Sequence, residues 1–356
     1  MAAKKHILVD LLRLKHINTG LGQVCLAYGA ELSKIRHPHF QFTFLVPRNF
    51  AGYFGDHVNY IVPSPIKHLL FPQRLSKSFD LWHAIHQDIH YYPDKCIPLV
   101  FTIHDLNFIW EKTQMKIRRR KNKLNFFLQR AAQTIAISNY TKQDIETNLS
   151  TKSPIEVIYN GVNLATEVKE EPPTFINTNR FLLAIGFFKP NKNYQSLVRL
   201  MNEYPEKQLI IAGAHNTAYG KTILEMIRKK GLQNRVITPG TISEADKIWL
   251  YAHCDALLFP STNEGMGLPI IEAMRFGKPV IAARQSCIPE FGKEYAYYFS
   301  SFEPTAMRQS IEDGLTDYHR HPERAEELKR YSEQFSWGKH TQQYIQLFER
   351  LLDIHP

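Results

Sequence analysis

A chain of 356 residues exceeds one ordinary domain and makes two comfortably, each able to bury its own core. Hydrophobic residues at 44% and charged residues at 22% exclude a disordered or fibrous chain, and no apolar run reaches the roughly 18 residues of a membrane-spanning helix. The formal net charge of +10 calls for an anionic partner: a phosphate-bearing substrate, a membrane surface or nucleic acid.

The opening stretch MAAKKHILVDLLRLKH sets two lysines before an apolar run. Asp10 and Arg13 interrupt that run and no small-residue cleavage site follows, so no secretory signal is expected. Cys25, Cys96, Cys254 and Cys287 lie far apart without C-x-x-C spacing, which argues against a zinc site and fits reduced thiols in a cytoplasm. His6 to Leu12 reads as a strand, and NTGLGQVCLAYGAELSK continues as a glycine turn and an amphipathic helix from about Gly22. Strand, glycine turn and helix form the entry unit of a Rossmann-type domain, with Gly20 and Gly22 as phosphate-contact candidates.

Further strands are expected near Phe42 to Val46, Tyr60 to Val62, Leu81 to Ala84 and Leu99 to Ile103, spaced for parallel crossovers. The last ends in FTIHDLNF, which puts His104 and Asp105 at the carboxyl end of a buried strand, where open α/β sheets bind ligands. Asp105 also reads as a turn or helix cap. His83, His86 and His90 form no metal-ligand spacing and read as structural or solvent-facing, with His83 or His86 as alternatives lining an acceptor cleft. The basic run KTQMKIRRRKNK at 112–123 and the apolar LNFFLQRAAQ after it read as a solvated helix face, or as attachment to an anionic membrane through 112–130. Nucleic acid is not the expected partner, because no aromatic stacking platform accompanies the charge. Thr134 to Ile137 reads as a strand, Ser138 as the N-cap of the helix NYTKQDIETNL, and Ile155 to Tyr159 as a strand closed by the turn Asn160-Gly161. Residues 164–178, LATEVKEEPPTFINT, hold three glutamates and two prolines without an apolar period, and read as an interdomain linker.

A second Rossmann-type unit opens with FLLAIGFFKPNKNYQSLVRLM, where the strand Phe181 to Ile185 leads through Gly186 to a helix at about Tyr194. Lys192 is the candidate cation for a diphosphate, and Lys189 is a substitute for it. Strands follow at Gln208 to Ala212 and Arg235 to Thr238, then the helix SEADKIWLYAHC. The stretch 254–283, CDALLFPSTNEGMGLPIIEAMRFGKPVIAA, carries the densest chemistry: strand Ala256 to Phe259, a polar loop, and a helix opened by Pro269. The backbone from Gly265 through Met266 and Gly267 to Leu268 thus meets a helix N-terminus, which suits an anion. Glu264 and Glu272 flank it, the latter expected in the first helical turn. Ionised carboxylates only accept hydrogen bonds, so the pair suits a ligand with phosphate in the middle and hydroxyls at both ends, which describes a nucleotide sugar.

The string EGMGLPIIEA resembles the donor-site signature of retaining glycosyltransferases of family 4, and ISNYTKQDI followed by VIYNGVN resembles the end of their first domain. The resemblance implies the GT-B fold: two α/β, Rossmann-like, doubly wound parallel-sheet domains facing across a cleft, with a C-terminal helix crossing back to the first. Residues 1–163 with a helix at about 339–356 would form the acceptor domain, and 179–338 the donor domain. It implies transfer of a hexose-type sugar from a nucleotide diphosphate sugar to a glycan or lipid-linked acceptor in cell-surface polysaccharide or lipopolysaccharide synthesis. Glu272 would take the ribose, Glu264 and the Gly265 to Leu268 amides the sugar, and Gly186, Lys192 and the Gly20 to Gly22 turn the diphosphate. His104 would lie against the donor sugar near the anomeric carbon. Family members carry an Arg near this lysine, where Phe187 and Asn191 stand here. No cofactor and no metal is implied, and no D-x-D string is present. Front-face attack and a covalent intermediate on Glu264 or Asp105 both remain open, and the expected place is the cytoplasm or the inner face of the plasma membrane. A nucleotide-sugar epimerase of similar fold and a non-catalytic polyanion- or membrane-binding module are the competing readings.

Overall fold

The computed structural model describes residues 3–17, 19–63, 79–111, 113–162, 167–169, 171–178 and 180–354. Lys112 of the basic run, 164–166 and 170 of the expected linker, and 355–356 of the expected final helix lie outside the described residues. Two compact units divide the chain: Met1–Gly161 with Trp337–Pro356, and Val162–Ser336.

The first unit holds β1 (Lys5–Asp10), α1 (Gly20–Lys34), β2 (Phe40–Leu45), β3 (Asn59–Ile61), β4 (Leu81–Ala84), β5 (Leu99–Ile103), α2 (Phe108–Glu111), α3 (Gln114–Leu128), β6 (Gln133–Ala136), α4 (Asn139–Asn148) and β7 (Ile155–Val157). The seven strands pair in parallel in the order β3-β2-β1-β4-β5-β6-β7. Such a sheet is buried on both faces, which is why β4 and β5 are wholly buried and read as nearly continuous apolar runs. The strand order reverses between β1 and β4, and β1, β4 and β5 carry Asp10, His86 and His104 at or just beyond their carboxyl ends. Helix α1 starts at Gly20, earlier than the sequence periodicity indicates, because Thr19 caps it.

The second unit holds β8 (Phe181–Ile185), α5 (Tyr194–Leu200), β9 (Gln208–Ala212), α6 (Ala218–Lys229), β10 (Val236–Gly240), α7 (Glu244–His253), β11 (Ala256–Phe259), α8 (Leu268–Arg275), β12 (Val280–Ala282), α9 (Ile288–Gly292), β13 (Tyr297–Tyr298), α10 (Pro304–Arg320) and α11 (Arg324–Ser332). Its six parallel strands run β10-β9-β8-β11-β12-β13, again reversing beside the first strand of the unit. Ser243 and Thr217 cap α7 and α6 by accepting from Asp246 N and Gly220 N. Lys169 pairs with Asp246 at 2.6 Å, so this part of the acidic 164–178 stretch lies against α7.

The last helix, α12 (Trp337–Leu351), belongs to the first unit. Trp337, Tyr344, Ile345, Leu347 and Phe348 recur at helical spacing and complete the core around Val24, Tyr28, Leu32 and Leu81. At about 1.5 to 3 kcal/mol for each large apolar side chain buried, this stripe is a major part of that core. Among the described residues no helix is long and apolar enough to cross a membrane.

Candidate functional site

In the second unit the chemistry gathers at the carboxyl ends of β8 and β11. After β8 the chain turns through Gly186, whose φ of 150° disfavours a side chain. A Cβ there would stand 3.1 Å from Lys192 Cε, so the glycine also makes room for that lysine. Lys192 Nζ lies 2.7 Å from Glu264 Oε1, with both side chains 14% exposed. Two residues far apart in sequence, both selected for the donor, are thus each other's partner.

Asn191 bolts the two loops together. Its carbonyl accepts from Thr262 N at 2.8 Å, and its Nδ2 donates to the Asn263 carbonyl at 2.8 Å. Glu264 N donates to Ser286 Oγ at 3.1 Å. Sequence reasoning noted Asn191 only as the absence of an arginine; its role depends on a loop 72 residues away and has no local signature. Lys189 is exposed, its ammonium 5.9 Å from the Phe187 ring centre and apart from the Lys192–Glu264 pair.

Helix α8 opens on Gly267, at φ 74°, and Pro269 takes the first turn, where its missing N–H is harmless. Met266 is buried at 3% exposure, so its side chain belongs to the packing under the loop. Glu272 is the fifth residue of the helix rather than a first-turn residue, which corrects the sequence-based placement. Each of its oxygens already has one donor and keeps room for another: Tyr251 Oη donates to Oε2 at 2.7 Å and Lys247 Nζ to Oε1 at 3.2 Å. Burial pushes the Tyr251 phenol well up and the Glu272 carboxylate adds to it, so the hydroxyl stays a donor. Burial opposes the Lys247 charge, but Glu272 and Glu244 outweigh it and raise its pKa. Both partners project from α7, and the hydrophobic period of that helix gave no hint of them.

In the first unit His104 follows β5 and is 5% exposed. Its Nε2 lies 2.7 Å from the Ile85 carbonyl, its Nδ1 3.4 Å from Asn160 Nδ2, and its backbone N–H donates to Gln87 Oε1 at 3.1 Å. Thr141 Oγ1 donates to its carbonyl at 3.2 Å. Burial lowers the pKa of the ring, against the opposing pull of the Ile85 carbonyl, Asp105 and Asp88. Near neutral pH the ring is therefore a neutral imidazole. Asp105 accepts from Asn107 N at 3.0 Å, the capping role that competed with a catalytic one.

The glycine turn of this unit is more structural than its pattern suggests. Gly22 N donates to the Thr19 cap at 3.2 Å, so that amide is not offered to a phosphate. A Cβ at Gly22 would lie 2.2 Å from the His16 carbonyl oxygen, which explains the glycine by close approach. Gly20 is exposed with nothing near its missing side chain, and remains the accessible backbone of the pair. His83 is fully buried among Tyr28, Thr102, Tyr344 and Phe348, and is a core residue. His86 is 2% exposed beside the buried Asp10, their nearest side-chain atoms 3.9 Å apart. Cys25, Cys254 and Cys287 are buried free thiols, and Cys96 is exposed.

The basic run forms α3, and the structure sorts its charges. Arg120 pairs with Asp88 at 2.7 Å, Lys121 reaches Asn148, and Lys123 reaches the Ile89 carbonyl. Met115, Lys116, Arg118, Arg119 and Phe126 face solvent, with Trp110 exposed just before them.

Two parallel doubly wound units, each with polar and charged residues at its strand ends, define a two-domain Rossmann-like architecture rather than a single-domain Rossmann protein. The family profile described as Glycosyl transferases group 1 matches residues 166–335, and that described as Glycosyltransferase Family 4 matches residues 20–166. The chain belongs to the family 4 glycosyltransferases and has the GT-B fold. The serotype-specific mannosyltransferase WbdA of Escherichia coli is 30% identical over 184 residues, 49% of this chain and 22% of that one. The chain thus matches about a fifth of the length of these first relatives. The O-antigen chain mannosyltransferase RfbU of Salmonella typhimurium is 25% identical over 223 residues, 61% of this chain and 62% of that one. Among solved structures, HepE of Anabaena, in complex with UDP and glucose, superposes with a TM-score of 0.74 at 21% identity, covering 97% of this chain and 100% of that one.

Proposed function

We propose that the protein transfers a hexose, with retention of anomeric configuration, from a nucleoside diphosphate sugar to a glycan or lipid-linked acceptor of a cell-surface polysaccharide or lipopolysaccharide. The observation that carries this reading is the Lys192–Glu264 pair held beside Gly186 at the carboxyl ends of β8 and β11. Arrival of a diphosphate gives the lysine a stronger partner. Glu264 is then released to accept from sugar hydroxyls, and charge developing on the leaving phosphate meets a preorganised cation. Glu272, aimed by Tyr251 and Lys247, accepts from the ribose. His104, neutral, offers a lone pair and not a proton. The names of WbdA and RfbU support mannose as the hexose and an O-antigen-type acceptor, and the UDP bound by HepE supports a nucleotide-sugar donor.

Because the cation of this site is a side chain, the transfer is proposed to need no divalent metal. The test is release of free nucleoside diphosphate from a panel of UDP-, GDP- and ADP-sugars, with EDTA present, since slow donor hydrolysis requires no knowledge of the acceptor. Release from one donor fits the reading. A sugar altered while still attached to its nucleotide would make the protein an epimerase.

The exposed Trp110, Met115, Lys116, Arg118 and Arg119 support a peripheral seat on an anionic leaflet, cations toward headgroups and apolar side chains toward the acyl boundary. Co-sedimentation with phosphatidylglycerol vesicles should exceed that with phosphatidylcholine vesicles and fall for Arg118→Ala/Arg119→Ala. Equal binding to both vesicle types would exclude this seat.

A further inference from the structure

A chain of buried contacts runs from the last helix to the histidine of the first unit. His340, on α12 and 4% exposed, places its Nδ1 2.8 Å from the Tyr159 carbonyl. A carbonyl only accepts, so Nδ1 of His340 carries the proton. Burial holds its pKa down at about 4, and the ring is neutral. The next residue, Asn160, is 3% exposed and directs its Nδ2 at His104 Nδ1, 3.4 Å away. On the far side of that ring Nε2 faces the Ile85 carbonyl at 2.7 Å and must be the protonated nitrogen. The chain 159–162 is gripped from the same end. A Cβ on Gly161 would lie 2.5 Å from Trp337 N, and Val162 N donates to the Phe335 carbonyl at 2.8 Å.

We infer that Asn160 and His340 are positioning residues for His104: the Ile85 carbonyl selects the Nε2–H tautomer, the first turn of α12 fixes the Tyr159–Asn160 backbone, and Asn160 holds the ring in one orientation with its lone pair at Nδ1. The ring then presents an acceptor in one orientation, ready for a sugar hydroxyl that takes over from the long Asn160 contact. This rests on the role given to His104 above. An Asn-Gly pair ordinarily reads as a turn; here the chain forms none, the asparagine side chain points to a buried imidazole, and the glycine beside it admits the helix backbone.

The experiment uses the full-length protein with ¹⁵N-labelled histidine, His104 being assigned by its loss in His104→Gln. Wild type should show Nε2 protonated and Nδ1 bare. In Asn160→Ala and His340→Phe the Nδ1 signal should shift and broaden as the ring loses its donor and its single orientation, and kcat should fall about tenfold with donor KM unchanged. His340→Asn keeps a donor near the position of Nδ1 and should restore both. Should His340→Phe fail to fold, Asn160→Ala, which deletes no ring from the core, carries the test. His104 signals unmoved in Asn160→Ala, or a His340→Asn protein no better than His340→Phe, would overturn the inference. Undiminished turnover in His104→Ala would overturn the catalytic reading instead, and the ring signals would still decide whether Asn160 positions the histidine.

Discussion

The candidate sites of the two units are built with opposite electrostatics. In the second unit Lys192 and Glu264 are formally charged, in contact with each other, and partly exposed. In the first, His104, Asn160, Gln87 and His340 are nearly sealed from solvent and neutral. A mutually paired lysine and carboxylate can be prised apart by a more highly charged ligand, whereas a buried neutral ring can only accept or donate where its neighbours leave it free. The contrast teaches that charge stabilisation and orientation are separable here, and substitutions should break them separately.

The largest expected effect is on the charged side. Lys192→Ala and Glu264→Ala should each lower turnover by about a hundredfold or more while circular dichroism and melting temperature stay close to wild type. Wild-type-like turnover in both would remove this pair from the site. Next in size is the support of Glu272. Tyr251→Phe leaves one carboxylate oxygen without its 2.7 Å donor and should raise donor KM about tenfold with little change in kcat. An equal fall in kcat would mean that the phenol acts in the reaction step and not in binding.

The smallest effect belongs to the neutral side and is a stability effect. The folded pKa values of His83, His86, His104 and His340 lie below the ordinary histidine value, so below about pH 6.5 the unfolded chain binds more protons than the folded one. Stability is therefore complete above that value and falls as the pH drops from 6.5 toward 4. Asp10, raised to about 6 by burial, works in the opposite sense over part of that range, and the histidines outnumber it. Urea midpoints measured from pH 7.5 to 4.5 should fall with acid, and His340→Asn should flatten the curve. A midpoint independent of pH would mean that these histidines are protonated inside the fold.

How much of this was legible beforehand follows from how local each signal is. The strands β8 and β11, the Ser138 cap and the loop before α8 are written in runs of ten residues or fewer, and the structure has them within a residue or two of where the periodicity puts them; the turn expected at Asn160-Gly161 does not form, and the chain runs on past β7 without one. The partners of the site residues are written nowhere locally. Lys192 finds Glu264 across 72 residues, Glu272 finds Tyr251 across 21, and His104 finds Asn160 across 56, each pair brought together by tertiary packing. Gly22 shows the converse: its motif pointed to phosphate, and the Thr19 cap and the His16 carbonyl account for it first.

One consequence lies in the order in which the chain emerges from the ribosome. The core around Tyr28 and Leu81 is completed by α12, which is synthesised after all of Val162–Ser336. The second unit is contiguous and can close as soon as it is made, while the first must wait with its apolar face open for the whole length of the second. The unit that begins first is therefore expected to finish last. A stop placed directly after Ser336 would release a folded second unit tethered to an incomplete first one.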